Sequence, residues 1–154
     1  MRVILMPVFE FTTSLNYPAE SVFAFLCNPA NLVAVTPPDF QMELVEAPAT
    51  LHLGAKVTVR GKRWGFSQKI VSEVTVFQPN VEMADEQRAG PFKKWQHTHH
   101  LEEVDGVTRM IDRIDFEAPS GMLGMLLTAS KISRELPEIF AYRARKFQEL
   151  LGQG

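Results

Sequence analysis

Trp95-Gln96-His97-Thr98-His99-His100-Leu101 leads through Glu102-Glu103-Val104 to Asp105-Gly106 and Val107, and this passage limits the chain more than any other. An Asp-Gly pair between two valines is the signature of a two-residue type I′ hairpin, in which both central residues need positive φ. Val104 then pairs with Val107. Counting outward sets Leu101 against Met110, His99 against Asp112, His97 against Ile114 and Trp95 against Phe116. Side chains alternate across a strand, so these eight share one face. Lys94, Gln96, Thr98, His100 and Glu102 take the other face and suit water, so by exclusion the first set points inward.

The preceding turn is read as centred on Gly90, which pairs Asp85 with Trp95 and Met83 with His97 and leaves Asp85 diagonal to His97. Gln87 lies two residues along the same strand, hence on the same face. The expected inner face is an apolar wall of Trp, Phe, Met, Ile and Leu that carries His97, His99, Asp85 and Asp112.

The rest of the chain supplies a partner for that wall. Phe9 to Leu15 alternates as a first strand, and Pro18 to Leu26 reads as a short amphipathic helix with Val22, Phe23 and Leu26 on one side. Asn28-Pro29 ends it, and Ala30 to Val35 forms a second short helical turn before Pro37-Pro38. The period then changes to two over Phe40 to Val45, Lys56 to Lys62, Gln68 to Phe77, Val81 to Arg88, Lys93 to Val104 and Val107 to Glu117. Strands joined by short turns make an antiparallel meander. After Pro119-Ser120-Gly121, the residues Met122, Leu126, Ala129, Leu136, Phe140, Arg143, Phe147 and Leu150 approximate a helical stripe that could lie across the sheet. Pro137 interrupts it, so a bent helix is expected, with two helices meeting there as the alternative. The fold class is α+β: about seven strands curved around a long C-terminal helix in a single domain over residues 1–154.

A buried charge must be compensated, so the His/Asp row is informative in any role. Asp112 could simply fix His99 in one tautomer beneath the helix. The row could orient the polar group of a mostly apolar ligand, since few polar groups on an apolar wall characterise small-molecule pockets. A carboxylate-oriented histidine could also serve as a general acid or base, with His97, His99, Asp112 and Asp85 as the candidates. The residues expected to touch a ligand are Met83, Asp85, Gln87, Trp95, His97, His99, Met110, Asp112, Ile114 and Phe116 from the sheet, with Leu126 and Phe140 from the helix. His-x-His on a strand can supply two metal ligands, with a carboxylate third, but it also arises whenever alternate positions face one cavity; no metal and no cofactor are expected. Trp64 reads as the end of an edge strand or a pocket-rim aromatic, Met122 and Met125 as core or cavity lining, and Arg143 and Arg145 as surface or snorkelling side chains.

Composition narrows the partners. With 154 residues, 45% hydrophobic and 22% charged, the chain is long enough to bury a core without staples. A net charge of −2 carries no footprint for nucleic acid or an anionic membrane. The lone Cys27, in an apolar helical stretch, reads as a small buried thiol. No apolar run approaches the ~20 residues of a membrane span. The N-terminal run Met1 to Val8 is too short for a signal segment and is broken by Pro7. A cytoplasmic location is expected, and a homodimer is compatible with the sequence.

The order strand, two short helices, six strands, long helix resembles the START-related helix-grip superfamily. The likeness rests on Tyr17-Pro18-Ala19-Glu20-Ser21-Val22-Phe23, on Asn28-Pro29, on Leu53-Gly54, and on the stretch from Asp85-Glu86-Gln87 through Gly90-Pro91-Phe92 to Trp95-Gln96-His97-Thr98-His99. That stretch is similar to a polyketide cyclase/dehydrase-like subgroup. The resemblance implies a cavity between sheet and C-terminal helix that binds a hydrophobic small molecule such as a lipid, an isoprenoid or an aromatic polyketide-like compound. A cyclase or dehydratase using the His/Asp pair is the alternative. It supplies no catalytic residues to carry over.

Overall fold

The computed structural model describes residues 7–63 and 66–153, the side chains of Arg63 and Phe66 excepted. Trp64 and the N-terminal run Met1–Met6 lie outside the described residues. Strand β1 (Val8–Leu15) is followed by helices α1 (Ala19–Leu26) and α2 (Pro29–Ala34) and a 3-10 turn at Pro38–Phe40. Strands β2 (Glu43–Glu46), β3 (Lys56–Arg63), β4 (Phe66–Gln78), β5 (Glu82–Ala89), β6 (Lys94–Val104) and β7 (Val107–Glu117) come next. Helices α3 (Gly121–Leu126) and α4 (Ala129–Leu151) close the chain.

The strands form one antiparallel sheet in the order β1-β7-β6-β5-β4-β3-β2. β2 to β7 is a meander, and β1 returns to pair with β7, so α1 and α2 carry the chain between opposite edges. Register shifts leave Val45 of β2, Thr75 of β4 and Arg88 of β5 as bulged residues; each bulge adds local twist, and the sheet curves around α4.

The local reasons follow the residues. Asp105 and Gly106 both take positive φ, 51° and 78°, as a type I′ turn requires, and Val104 pairs with Val107. Strand β7 alternates strictly, burying Thr108, Met110, Asp112, Ile114 and Phe116. Pro18 is the N-cap of α1 rather than its first helical residue and offers no side-chain cap; Glu103 of β6 accepts from the Ala19 N–H instead, at 2.5 Å. Asn28 does not end α1 so much as start α2, its side chain accepting from the Ala30 N–H with Pro29 in the first turn.

The C-terminal helix differs from expectation in where it breaks. α4 runs continuously through Pro137, and the interruption falls earlier, at Leu127 and Thr128, where the Thr128 hydroxyl caps α4 by accepting from the Lys131 N–H. Residues before that break do not share the stripe that follows it. Met122, Met125 and Leu126 are 82%, 79% and 60% exposed, so neither the methionines nor Leu126 lines the interior. The buried stripe is Ile132, Leu136, Phe140, Arg143 and Phe147, spaced by three and four along the helix.

The core is in two parts. One gathers Leu15, Val22, Phe23, Met83, Met110 and Phe147 under α1. The other joins Phe92, Ile114, Phe116, Leu136 and Phe140 under the middle of α4. Phe140 meets Phe9 and Phe11 of β1 at ring distances of 5.4 and 6.0 Å, which holds α4 to the sheet; burying one such ring contributes about 1.5–3 kcal/mol. Among the described residues no helix is long and apolar enough to cross a membrane.

Candidate functional site

Between the two parts of the core lies a cavity of about 280 Å³. Its wall is largely apolar: Val57 and Val59 of β3, Ile70 and Val74 of β4, Leu32 and Val35 of α2, and Ile132, Leu136 and Phe140 of α4. Among the described residues that line it, Asp85, His97, His99 and Arg143 can carry charge.

Strand alternation places these groups. β6 turns Trp95, His97 and His99 inward, and β7 sets Asp112 directly opposite His99, the register expected from the Asp105-Gly106 turn. The hydrogen bond nevertheless runs diagonally: His97 Nε2 lies 2.7 Å from Asp112 Oδ1. His99 Nδ1 stands 2.7 Å from the same oxygen, but its N–H direction misses the acceptor and no aligned bond forms. The contact there is electrostatic. The two imidazoles lie against each other with centroids 4.0 Å apart, and Phe140 meets the His97 ring edge-on at 5.5 Å.

Protonation follows from these neighbours. Burial by itself would raise the Asp112 carboxyl, but the His97 hydrogen bond and the close His99 ring outweigh it and hold Asp112 well below the usual carboxylate range. An ionised carboxylate only accepts, so His97 Nε2 carries the hydrogen. Burial, with His99 alongside, pushes His97 down to about 3 against the pull of Asp112. His97 is therefore neutral at physiological pH, with a lone pair left on Nδ1. Burial pushes Asp85 up to about 6, opposed by His99 and Arg143.

The β5–β6 register departs from the expected one. Asp85 pairs with His97 and Met83 with His99, two residues along from the pairing centred on Gly90. The connection is a wider loop over residues 90–93, centred on Pro91 and spanned by a 2.7 Å hydrogen bond from Gln87 Nε2 to the Phe92 carbonyl. A glycine marks a turn without fixing how many residues it takes. The shift brings Asp85 directly beside His97. One ligating atom each from Asp85, His97 and His99 then lies within 4.8 Å of the others, a set of nitrogen and oxygen donors able to hold a divalent metal, with Asp112 behind them as the orienting carboxylate. Sequence spacing offered two histidine donors with a carboxylate as third, and the register puts Asp85 in that place.

Of the residues expected at the site, Met83, Asp85, Gln87, Trp95, His97, His99, Ile114 and Phe140 line the cavity. Asp112 is 2% exposed and sits behind the histidines. Met110 and Phe116 face inward but are enclosed in the core, and Leu126 is on the surface. Inward direction alone does not distinguish packed core from cavity wall. Arg143, read with Arg145 as a surface side chain, is 9% exposed and lines the cavity. Its place on the Leu136–Phe140–Phe147 stripe was the signal that located it.

Residues 15–135 match the family model described as "Polyketide cyclase / dehydrase and lipid transport". The chain belongs to this family. Solved structures with the same fold as this polyketide cyclase/dehydrase family member include protein CV1439 from Chromobacterium violaceum, at 11% identity and a TM-score of 0.73 over 94% of this chain and 96% of that one. TTHA0849 from Thermus thermophilus gives 15% identity and a TM-score of 0.72 over 94% and 97%. A START superfamily protein from Mycobacterium smegmatis gives 12% and 0.72 over 95% and 97%. At such identities the likeness is one of fold. None of the curated proteins matches this family member in sequence.

Proposed function

We propose that the protein binds a hydrophobic small molecule in the cavity between the sheet and α4, its apolar body against Val59, Ile70 and Leu136 and its polar group toward the part of the wall that carries His97, His99, Asp85 and Arg143. The observation that carries this reading is the cavity itself. An apolar concavity carrying a few convergent polar groups favours any apolar ligand that takes its wall out of water, by about 25 cal/mol per Å². The Gln87 Oε1 atom, buried without a hydrogen-bond partner on a lining residue, supports the same reading.

Native mass spectrometry of freshly purified protein tests it, together with titration of the uncharged fluorophore N-phenylnaphthylamine. A co-purified molecule or saturable fluorescence that other apolar compounds displace is expected. Neither appearing would end the proposal.

A second reading, a cyclase or dehydratase, is favoured by the pairing of Asp85 with His97. A carboxyl with a pKa near 6 beside a neutral imidazole can hand a proton to a bound molecule and take one back. With a compound found to be turned over, Asp85→Asn should abolish turnover while N-phenylnaphthylamine still binds. Unchanged turnover would remove Asp85 from the chemistry.

A further inference from the structure

Among the described residues Arg143 is the buried arginine; Arg134 and Arg145 of the same helix also lack an ion pair but are exposed to water. Arg60, Arg88, Arg109 and Arg113 each stand within 4 Å of a carboxylate, yet among the described residues Arg143 has no ion pair, and its buried Nε has no hydrogen-bond partner. The helix puts it there: Leu136, Phe140, Arg143 and Phe147 lie on the one stripe of α4 that faces the sheet. The rings of Phe140 and Phe147 flank the guanidinium at 5.3 and 5.9 Å.

An arginine keeps its proton in a folded protein, so this position holds a cation away from bulk water. Ring contacts return only part of the desolvation cost of such a charge. The carboxylates that act on it through space, Asp112 and Asp85, both stop short of ion-pair distance. Asp112 is committed to the histidines on β6. Asp85 faces the histidines as well. A planar guanidinium with open donors is matched by an oxygen anion, which it binds through two parallel N–H···O bonds.

Resting on the reading of this cavity as a ligand site, we infer that the ligand is amphipathic and acidic: an apolar body ending in a carboxylate that the Arg143 guanidinium receives. Val59, Ile70 and Leu136 take the body, and the charge that the fold leaves unmatched is matched by the ligand. Asp85 opposes an anion placed near it, so removing its charge strengthens the same binding.

The test is displacement of N-phenylnaphthylamine by decanoate, decanol and decyltrimethylammonium, which share an alkyl chain and differ in the head group. On the unmodified protein, decanoate should displace the probe at a concentration about tenfold or more below that of decanol, as expected for a charge-assisted pair, with decyltrimethylammonium weakest. Arg143→Met should weaken decanoate by about tenfold and leave decanol unchanged, Arg143→Lys should fall between, and Asp85→Asn should tighten decanoate alone. Equal displacement by acid and alcohol on the unmodified protein would overturn this inference and leave the hydrophobic-ligand reading standing. So would undiminished decanoate binding in Arg143→Met. A probe that does not bind at all would overturn both. The comparison of head groups on the unmodified protein needs no variant to fold.

Discussion

His97 reaches across the β6–β7 pair to Asp112, Nε2 to Oδ1 at 2.7 Å, although the residue directly opposite Asp112 is His99. One buried carboxylate oxygen therefore organises both inward histidines, with His99 Nδ1 also 2.7 Å from it. The face of each imidazole that meets the cavity is set by a group the cavity does not touch.

Removing that carboxylate should be costly. Asp112→Ala leaves the buried His97 N–H without its acceptor, and a loss of about 1–3 kcal/mol in urea unfolding is expected. Asp112→Asn, which retains an acceptor oxygen, should lose less. Equal losses would mean that the retained acceptor oxygen contributes nothing and that the carboxylate charge carries the effect.

The stability of Asp85→Asn should depend on pH relative to the unmodified protein. The Asp85 pKa rises on folding from 3.8 to about 6, so the folded state binds this proton more tightly than the unfolded state. Its contribution is thus most favourable below pH ~4, and it is lost as pH rises through ~6. Asp85→Asn should match the unmodified protein near pH 4 and exceed it above pH 6, by up to about 3 kcal/mol at ~1.4 kcal/mol per pKa unit. Chemical denaturation with a chelator present, at a series of pH values, gives the difference curve. A flat difference would show that Asp85 is not desolvated.

Filling the cavity should separate binding from folding. Ile70 lines the open space, and Ile70→Trp adds volume where a packed interior would charge about 1–3 kcal/mol for overpacking. The variant is expected to remain folded with a smaller loss than that, and to lose N-phenylnaphthylamine binding. Retained binding would place the probe elsewhere.

The cap on α1 comes from another part of the chain. Glu103 accepts from the Ala19 N–H across 84 residues, where Pro18 provides no side-chain cap. Glu103→Ala should lower stability by about 1 kcal/mol, in the range for losing an N-cap. Amide exchange should quicken at the start of α1 first, and uniform exchange would argue against a local role.

The β6–β7 hairpin was legible to the residue. Asp105-Gly106 forces a two-residue turn, and once turn length is known every opposite pair follows by counting, down to Trp95 against Phe116. The alternation of two settled which side chains point inward, and the change of period divided sheet from helix. Three features needed the folded chain. The β5–β6 loop takes four residues because Gln87 ties it to Phe92, and that places Asp85 beside His97. The break at Leu127 and Thr128, not Pro137, decides that α4 buries one stripe and α3 exposes Leu126. Arg143 is buried because the helix docks with that stripe against the sheet, whatever its own preference for water. Turns and periods are local, carried by a few adjacent residues. Whether an inward side chain meets packed core or open space depends on how far apart sheet and helix come to rest, and only the tertiary structure determines that.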